Sequence, residues 1–201
     1  MDELFDEIAA SQANVKGINF TAGQGIVEIE ELIMKNMKGT GPTFVARCTV
    51  VESHSKGDRV HKPLPDGTEE DQATGDLIEP NAVGSHPSWP QPLKKFKSAP
   101  GNVKAFVLQL LGKDESKVTG DQFKEAMKAL VNSNPASGKV QPARGMRIAY
   151  ATYDQKVRDG ARKGKYNTYV TWTHIPAPTN SAEEIATRRA ALDAARPLSA
   201  K

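Results

Sequence analysis

Four segments of the chain alternate apolar and polar residues, and they form two pairs that are each joined by a basic turn. The first pair is "GIVEIEELIM" and "TFVARCTVVES", and the second is "RGMRIAYATYD" and "KYNTYVTWTHI". An alternation with a period of two puts successive side chains on opposite faces of a β-strand, so each segment is predicted to be a strand with one buried face. Glycine in both turns predicts two β-hairpins.

The alternation also predicts which side chains are buried. Val27, Ile29 and Ile33 share one face of the first strand, and Cys48 lies on the apolar face of the second. We therefore expect Cys48 to pack as a small hydrophobe rather than to react as a thiol. A single cysteine excludes an intramolecular disulfide and argues against a structural zinc site, which favours a reducing, intracellular setting.

The chain between the hairpins predicts one short strand and two helices. Trp89 lies among prolines in "SWPQPL", which suits an edge strand. "GNVKAFVLQLLG" has apolar residues at intervals of three and four, with Gly112 as a C-cap. "TGDQFKEAMKALVNSNP" has the same spacing and stops at Pro135. We expect both helices to pack on one end of the sheet.

A long acidic loop is predicted over residues 52–82, where the periodicity stops and glycine and proline become frequent. Such a loop in a compact domain is usually functional or mobile. Residues 66–79 of this loop hold six acids, Asp66, Glu69, Glu70, Asp71, Asp76 and Glu79. Four more acids lie in residues 1–10, so the net charge of +3 conceals a strongly basic remainder that would attract polyanions.

The order of these elements predicts a mainly β fold with helical additions. A five-stranded OB-fold-like Greek-key barrel has this order, here with two helices between strands 3 and 4. The length suits one such domain, over residues 17–176. Residues 1–16 are predicted to form an N-terminal helical arm and residues 177–201 a linker and short helix, and these terminal helices are candidates for contacts that form a homo-oligomer.

The two hairpin turns, "KNMKGTG" and "QKVRDGARKGK", would line the binding face of such a barrel, and both are basic. Binding of single-stranded nucleic acid requires cations for the phosphates and flat rings for unpaired bases. Strand parity favours Phe44, Tyr150 and Trp172 for the core. The candidate phosphate contacts are Lys35, Lys38, Arg47, Arg144, Arg147, Lys156, Arg158, Arg162, Lys163 and Lys165, and the candidate stacking rings are Tyr153, Tyr166 and Tyr169.

Catalytic motifs are not found in the sequence. It has no P-loop, no nucleophile elbow, no CxxC and no pair of histidines at metal-ligand spacing, so we expect neither an enzyme nor a cofactor or metal site. No run of 18 apolar residues occurs, and the acidic start does not resemble a signal peptide, so no membrane association is expected.

The runs "VGSHPSW" and "FKSAPGNVKAFVLQLLG", with "GTGPTFVARCTVVES" upstream, resemble a group of small tailed-phage proteins that includes OB-fold single-stranded-DNA-binding proteins. The resemblance covers roughly residues 17–176. It implies a protein that coats single-stranded DNA in replication and recombination, in the cytoplasm of the infected bacterial host, with the 26–51 and 146–175 hairpins forming the groove. It also implies phage or host replication proteins as partners. The basic ending "TRRAALDAARPLSAK" departs from the acidic tail of many such proteins.

Other interpretations of the sequence stay open. A virion structural or assembly protein could use the barrel as a packing module, and an RNA-binding or inhibitor protein of phage origin would have a similar charge pattern. The acidic loop is either a solubilising insert or a competitor that lowers non-specific affinity for DNA phosphates.

Overall fold

The computed structural model describes residues 19–131 and 141–176, which form a mainly β structure with two α-helices. The predicted N-terminal arm (1–16), the C-terminal linker and helix (177–201) and Pro135 lie outside the described residues. The strands are β1 Gln24–Met37, β2 Gly41–His54, β3 Ser88–Pro92, β4 Arg147–Lys156 and β5 Tyr166–Thr173, and the helices are α1 Ala99–Leu111 and α2 Gly120–Leu130, with a 3-10 turn at Glu115–Lys117.

The five strands form one antiparallel sheet in the order β3-β2-β1-β4-β5. Both hairpins and the short strand at Trp89 lie where the alternation predicts them. β2 continues to His54, so the acidic loop begins slightly later than expected. In the part of the chain that the structure describes, no pairing joins the edge strands β3 and β5. The sheet is therefore open, and the predicted Greek-key barrel is not confirmed.

Two prolines explain why β3 stays an edge strand. Leu93, which follows β3, donates its N–H to the carbonyl of Pro42 in β2, and successive N–H groups along a strand point to opposite sides. Positions 90 and 92 therefore direct their backbone nitrogens toward the open side, and both are prolines. Without N–H groups at these two positions, β3 lacks most of the donors that pairing with β5 would require.

Helix α1 packs across the opening between the two edge strands, where it contacts β3, β4 and β5. This placement differs from the predicted position at one end of the sheet. The helix ends at Gly112, the predicted C-cap, in a left-handed conformation (φ 63°). A Cβ at Gly112 would lie 2.6 Å from the His174 ring, and the His174 N–H donates to Gln109 Oε1 at 3.0 Å. The chain after β5 is thus fixed to the end of α1.

Aromatic rings fill the space beneath α1. The ring centroids of Trp89 on β3 and Trp172 on β5 are 5.3 Å apart, and Phe106 of α1 lies 5.0 Å from Trp172. Phe44 and Tyr150 join the same core, as parity predicts. Edge-to-face contacts of this kind add to the free energy gained by burying the rings. Side-chain packing therefore connects the two edge strands that backbone hydrogen bonds leave apart.

A β-bulge corrects the predicted core face of β1. The register between β1 and β2 shifts between Ile29 and Glu31, so one extra residue reverses the alternation. Val27 and Ile29 enter the main core as expected, but beyond the bulge Leu32 replaces Ile33 there. Ile33 is buried outside that cluster. A pattern read with a strict period of two could not locate the shift.

None of the described helices is long and apolar enough to cross a membrane.

Cys48 provides a test of the packing of β2 against the core. Its side chain is fully buried, and burial together with the nearby charge of Glu30 raises the pKa of the thiol. We expect no reaction with Ellman's reagent in the native protein and one reacting thiol per chain in denaturant, measured by absorbance. Rapid labelling under native conditions would contradict this packing.

Candidate functional site

An open groove of about 820 Å³ follows the gap between the edge strands. One wall is formed by β3 and the polar face of α1, including Asn102 and Gln109, and the other by β5. Trp89 and Trp172 lie at its base, where they also belong to the core. The groove is thus a direct result of the missing backbone pairing between β3 and β5.

Two exposed tyrosines lie along the β5 side of this groove. Tyr153 on β4 and Tyr169 on β5 are cross-strand partners, and they are 46% and 38% exposed. Their ring centroids lie 5.7 Å apart with an angle of 24° between the planes. Strand parity predicts exposure of both rings. Near-parallel exposed rings offer faces on which planar ligands can stack.

The β4–β5 turn carries three exposed cations, Arg158, Arg162 and Lys163. Arg162 lines the groove, whereas Arg158 and Lys163 line a separate pocket together with Thr68 and Lys156. Within the described ranges, none of the three forms an ion pair with an acidic side chain. Backbone bonds from Val157 N–H to the Lys165 carbonyl (2.8 Å) close the turn, which leaves Lys165 half-buried. Three cations are therefore available for an anionic ligand.

A second basic and aromatic segment borders the other wall, and the sequence-based prediction missed it. In "KKFK", Phe96 is 52% exposed and lines the groove, and Lys95 Nζ lies 5.6 Å from its ring centroid. The sequence signal was available, because residues 80–113 contain five lysines and no acid. Cations and rings thus occur on both sides of the groove.

Three predicted phosphate contacts are engaged by β1 instead. Arg47 Nη1 lies 3.0 Å from Glu31 Oε2, and Arg147 Nε lies 3.0 Å from Glu28 Oε2. Both pairs join cross-strand neighbours, which commonly carry opposite charges. Arg144 Nε donates to the carbonyl of Glu30 at 3.3 Å. None of these arginines lines the groove, so the structure does not bring them together with the exposed tyrosines.

The β1–β2 turn also lies away from the groove. Lys38 is exposed and Lys35 half-buried, and neither lines it. β4 pairs with β1 only over residues 24–28, whereas the β1–β2 turn follows Met37 at the other end of the strand. The two basic turns therefore do not face each other across this groove, contrary to the expectation from the sequence.

The acidic loop docks on the β4–β5 hairpin. Glu69 donates its N–H to the carbonyl of Gly164 at 3.0 Å, and its Oε2 accepts the N–H of Tyr166 at 2.8 Å. Isolated bridges between residues 59 and 77 and between residues 63 and 69 hold the two arms of the loop together. The loop thus has a defined place on the hairpin.

Lys156 and Tyr166 are covered by this docking. Asp71 Oδ1 lies 2.5 Å from Lys156 Nζ and accepts the Tyr166 hydroxyl at 3.1 Å. The His61 ring stacks on Tyr166 with centroids 3.6 Å apart and planes 3° apart. Two residues predicted to contact nucleic acid are therefore already engaged within the chain.

The charged contact between loop and hairpin has a defined pH range. The hydrogen bond from Lys156 lowers the pKa of Asp71, and the same bond raises the pKa of Lys156. Because the carboxyl pKa is lowered, the pair stabilises docking above about pH 4, and this stabilisation is lost in acid. Because the lysine pKa is raised, the pair stabilises docking below about pH 10, and this stabilisation is lost in alkali. The contact is therefore fully charged at neutral pH.

Two other acids of the loop, Asp66 and Glu70, serve local turns. The hydrogen bond from the Thr68 hydroxyl lowers the pKa of Asp66, and the one from the Thr74 hydroxyl lowers the pKa of Glu70. Among the described residues, no group of three histidine, cysteine or acidic side chains is placed to hold a metal ion.

No protein-family model matches this chain, and no curated protein matches its sequence.

Gly164 provides a test of loop docking. A Cβ at this position would lie 2.5 Å from Thr68 Cγ2, whereas a Cβ at Gly160, which has a similar φ of 81°, meets nothing within 4 Å. Gly164→Ala and Gly160→Ala therefore share a backbone strain of about 1 kcal/mol, but only the first clashes with the loop. We expect faster hydrogen exchange at the amides of Glu69 and Tyr166 in Gly164→Ala alone. Equal exchange in the two variants would contradict the docked arrangement.

Proposed function

We propose that this protein binds single-stranded DNA without sequence specificity, in the groove between β3 and β5, and that it has no catalytic activity. The observation that carries the proposal is that the exposed pair Tyr153 and Tyr169 lines one groove together with the exposed Arg162, while Arg158 and Lys163 lie on the same turn as Arg162. A single strand presents planar bases, which stack on aromatic rings, and charged phosphates, which bind cations.

The geometry favours an unpaired strand over a duplex. Bases in a duplex stack on each other and present only their edges in the grooves, so their faces are not available to protein rings. Stacking on Tyr153 and Tyr169 requires bases that are splayed out of a helix. Stacking and phosphate contacts also distinguish poorly between bases, which supports binding that tolerates any sequence.

The topology supports assignment to the OB-fold. The strand order β3-β2-β1-β4-β5, with helices between β3 and β4, is the order that results when an OB barrel opens between strands 3 and 5. With the resemblance of the sequence to tailed-phage proteins, it favours a role in phage DNA replication and recombination, in the host cytoplasm. Replication proteins and further copies of the chain are the proposed protein partners.

The distribution of charge argues against the alternative of a virion packing module. Arg47 and Arg147 are neutralised by acids on β1, while Arg162, which has no acidic partner among the described contacts, lines the groove with the exposed tyrosines. A cation beside exposed rings is what a nucleic-acid ligand requires, and a packing module does not require it.

A salt titration tests the electrostatic part of the proposal. Arg158, Arg162 and Lys163 replaced together by Gln should flatten the dependence of log K on log salt by about 2, because each lost contact to a single strand removes about 0.7. Fluorescence anisotropy with labelled oligo-dT measures the slope. The matched control replaces Lys117, Lys124 and Lys128, which are exposed lysines outside the groove. The proposal fails if the wild type does not bind at low salt or prefers duplex equally.

Substitutions at Tyr169 and Tyr153 test stacking. Tyr169→Ala or Tyr153→Ala should weaken binding of oligo-dT by about 1–3 kcal/mol, because one base loses its platform. Tyr169→Phe and Tyr153→Phe keep the ring and should bind nearly as well as the wild type. An equal loss in the Ala and Phe variants would assign the effect to the hydroxyl group instead.

A further inference from the structure

The acidic loop presents two groups to the hairpin that together resemble a nucleotide. The flat His61 ring covers Tyr166 at 3.6 Å with planes 3° apart, as a stacked base would. The Asp71 carboxylate lies against Lys156 Nζ and the Tyr166 hydroxyl, where a phosphate oxygen would be bound. A heteroaromatic ring and an anion thus engage one ring and one cation at the same place.

The loop holds these two groups in position through contacts between its own arms. Glu70 donates its N–H to the carbonyl of Lys62 at 3.0 Å, and Lys62 donates its N–H to Glu70 Oε1 at 3.1 Å. His61 Nδ1 lies 2.8 Å from the Glu70 carbonyl. His61 and Asp71, which are distant in sequence, are therefore presented as one unit.

We propose that Tyr166 and Lys156 form a further nucleotide subsite of the groove, and that His61 and Asp71 occupy it as an internal mimic until a single strand displaces them. The inference rests on the proposed function and adds both a binding site and its regulation. Tyr166 lines the groove, and its carbonyl accepts a bond from Arg162 Nη2 at 3.4 Å. A strand that contacts Arg162 in the groove therefore passes beside this subsite.

The ion pair between Asp71 and Lys156 is a docked contact of a kind that a strand can displace. The side chains of Asp71 and Lys156 are 80% and 40% exposed, and exposed ion pairs contribute little stability and weaken with salt. The loop also leaves Val60, Leu64 and Leu77 exposed instead of burying them against the hairpin. Segments that bury little apolar surface belong to the least stable parts of a fold.

Occupancy by the mimic has a measurable consequence. A strand binds the whole site only in the fraction of molecules whose loop is undocked, so the apparent Kd equals the intrinsic Kd divided by that fraction. Weakening the loop contact should therefore increase affinity for single strands. If His61 and Asp71 instead contribute to binding, weakening the loop contact should decrease affinity for single strands.

The experiment compares Asp71→Asn with Asp76→Asn by anisotropy on labelled oligo-dT. Both variants remove one negative charge from the same loop. Of the two aspartate side chains, only that of Asp71 contacts Lys156 among the described contacts. We expect Asp71→Asn to increase affinity up to about fivefold more than Asp76→Asn, the range set by loss of one exposed ion pair. Equal affinities of the two variants, or weaker binding by Asp71→Asn, would overturn the mimic.

A double-mutant cycle tests the ring of the mimic. His61→Ala should increase affinity in the wild-type background and have no effect beside Tyr166→Ala, because the platform it uncovers is then missing. A gain of equal size in both backgrounds would overturn the subsite. Binding of oligo-dT by the wild type decides the proposed function separately: if it binds and the cycle shows no coupling, only the subsite is lost.

Discussion

The contact between Trp89 and Trp172 is the interaction on which the rest of the architecture depends. It joins the two edges of a sheet whose backbone does not close, and Phe106 of α1 packs against the same rings. Because side chains hold the edges at a distance, a groove forms where a barrel would have a seam. The polar face of α1 and the exposed tyrosines of the β4–β5 hairpin then become the walls of that groove. The candidate site and the core are therefore built from the same aromatic cluster.

Local patterns predicted the strands, the two helices and the side of the sheet on which each tyrosine lies. Period-two alternation was sufficient to predict that Tyr150 is buried and that Tyr153 and Tyr169 are exposed. Glycine at position 112 was sufficient to predict where α1 ends. The bulge near Glu30 was not predictable, because an inserted residue leaves the apolar composition of the strand unchanged. The open edge of β3 depends on the direction in which the backbone nitrogens of Pro90 and Pro92 point. That direction follows from the pairing register of β3 with β2, which the alternation of apolar and polar residues does not reveal.

The candidate site was harder to predict because it depends on contacts that are distant in sequence. Arg47 and Arg147 have the composition of phosphate contacts, but register places each beside an acid of β1. Lys156 is separated from Asp71 by most of the domain, so its pairing follows only from the docking of the loop. Net charge gave little guidance, because most of the acids neutralise particular cations or close particular turns. Only cations that have no acidic partner within the protein are available to bind a ligand.

The prolines of β3 also affect how the protein behaves in a crowded solution. An open sheet usually offers its edge as a template to which a strand of another molecule can add, and extended edges of this kind lead to aggregation. Positions 90 and 92 offer no N–H groups on that side, so an incoming strand would find acceptors without matching donors. The prolines that leave β3 unpaired within one molecule thus also protect this edge from pairing between molecules.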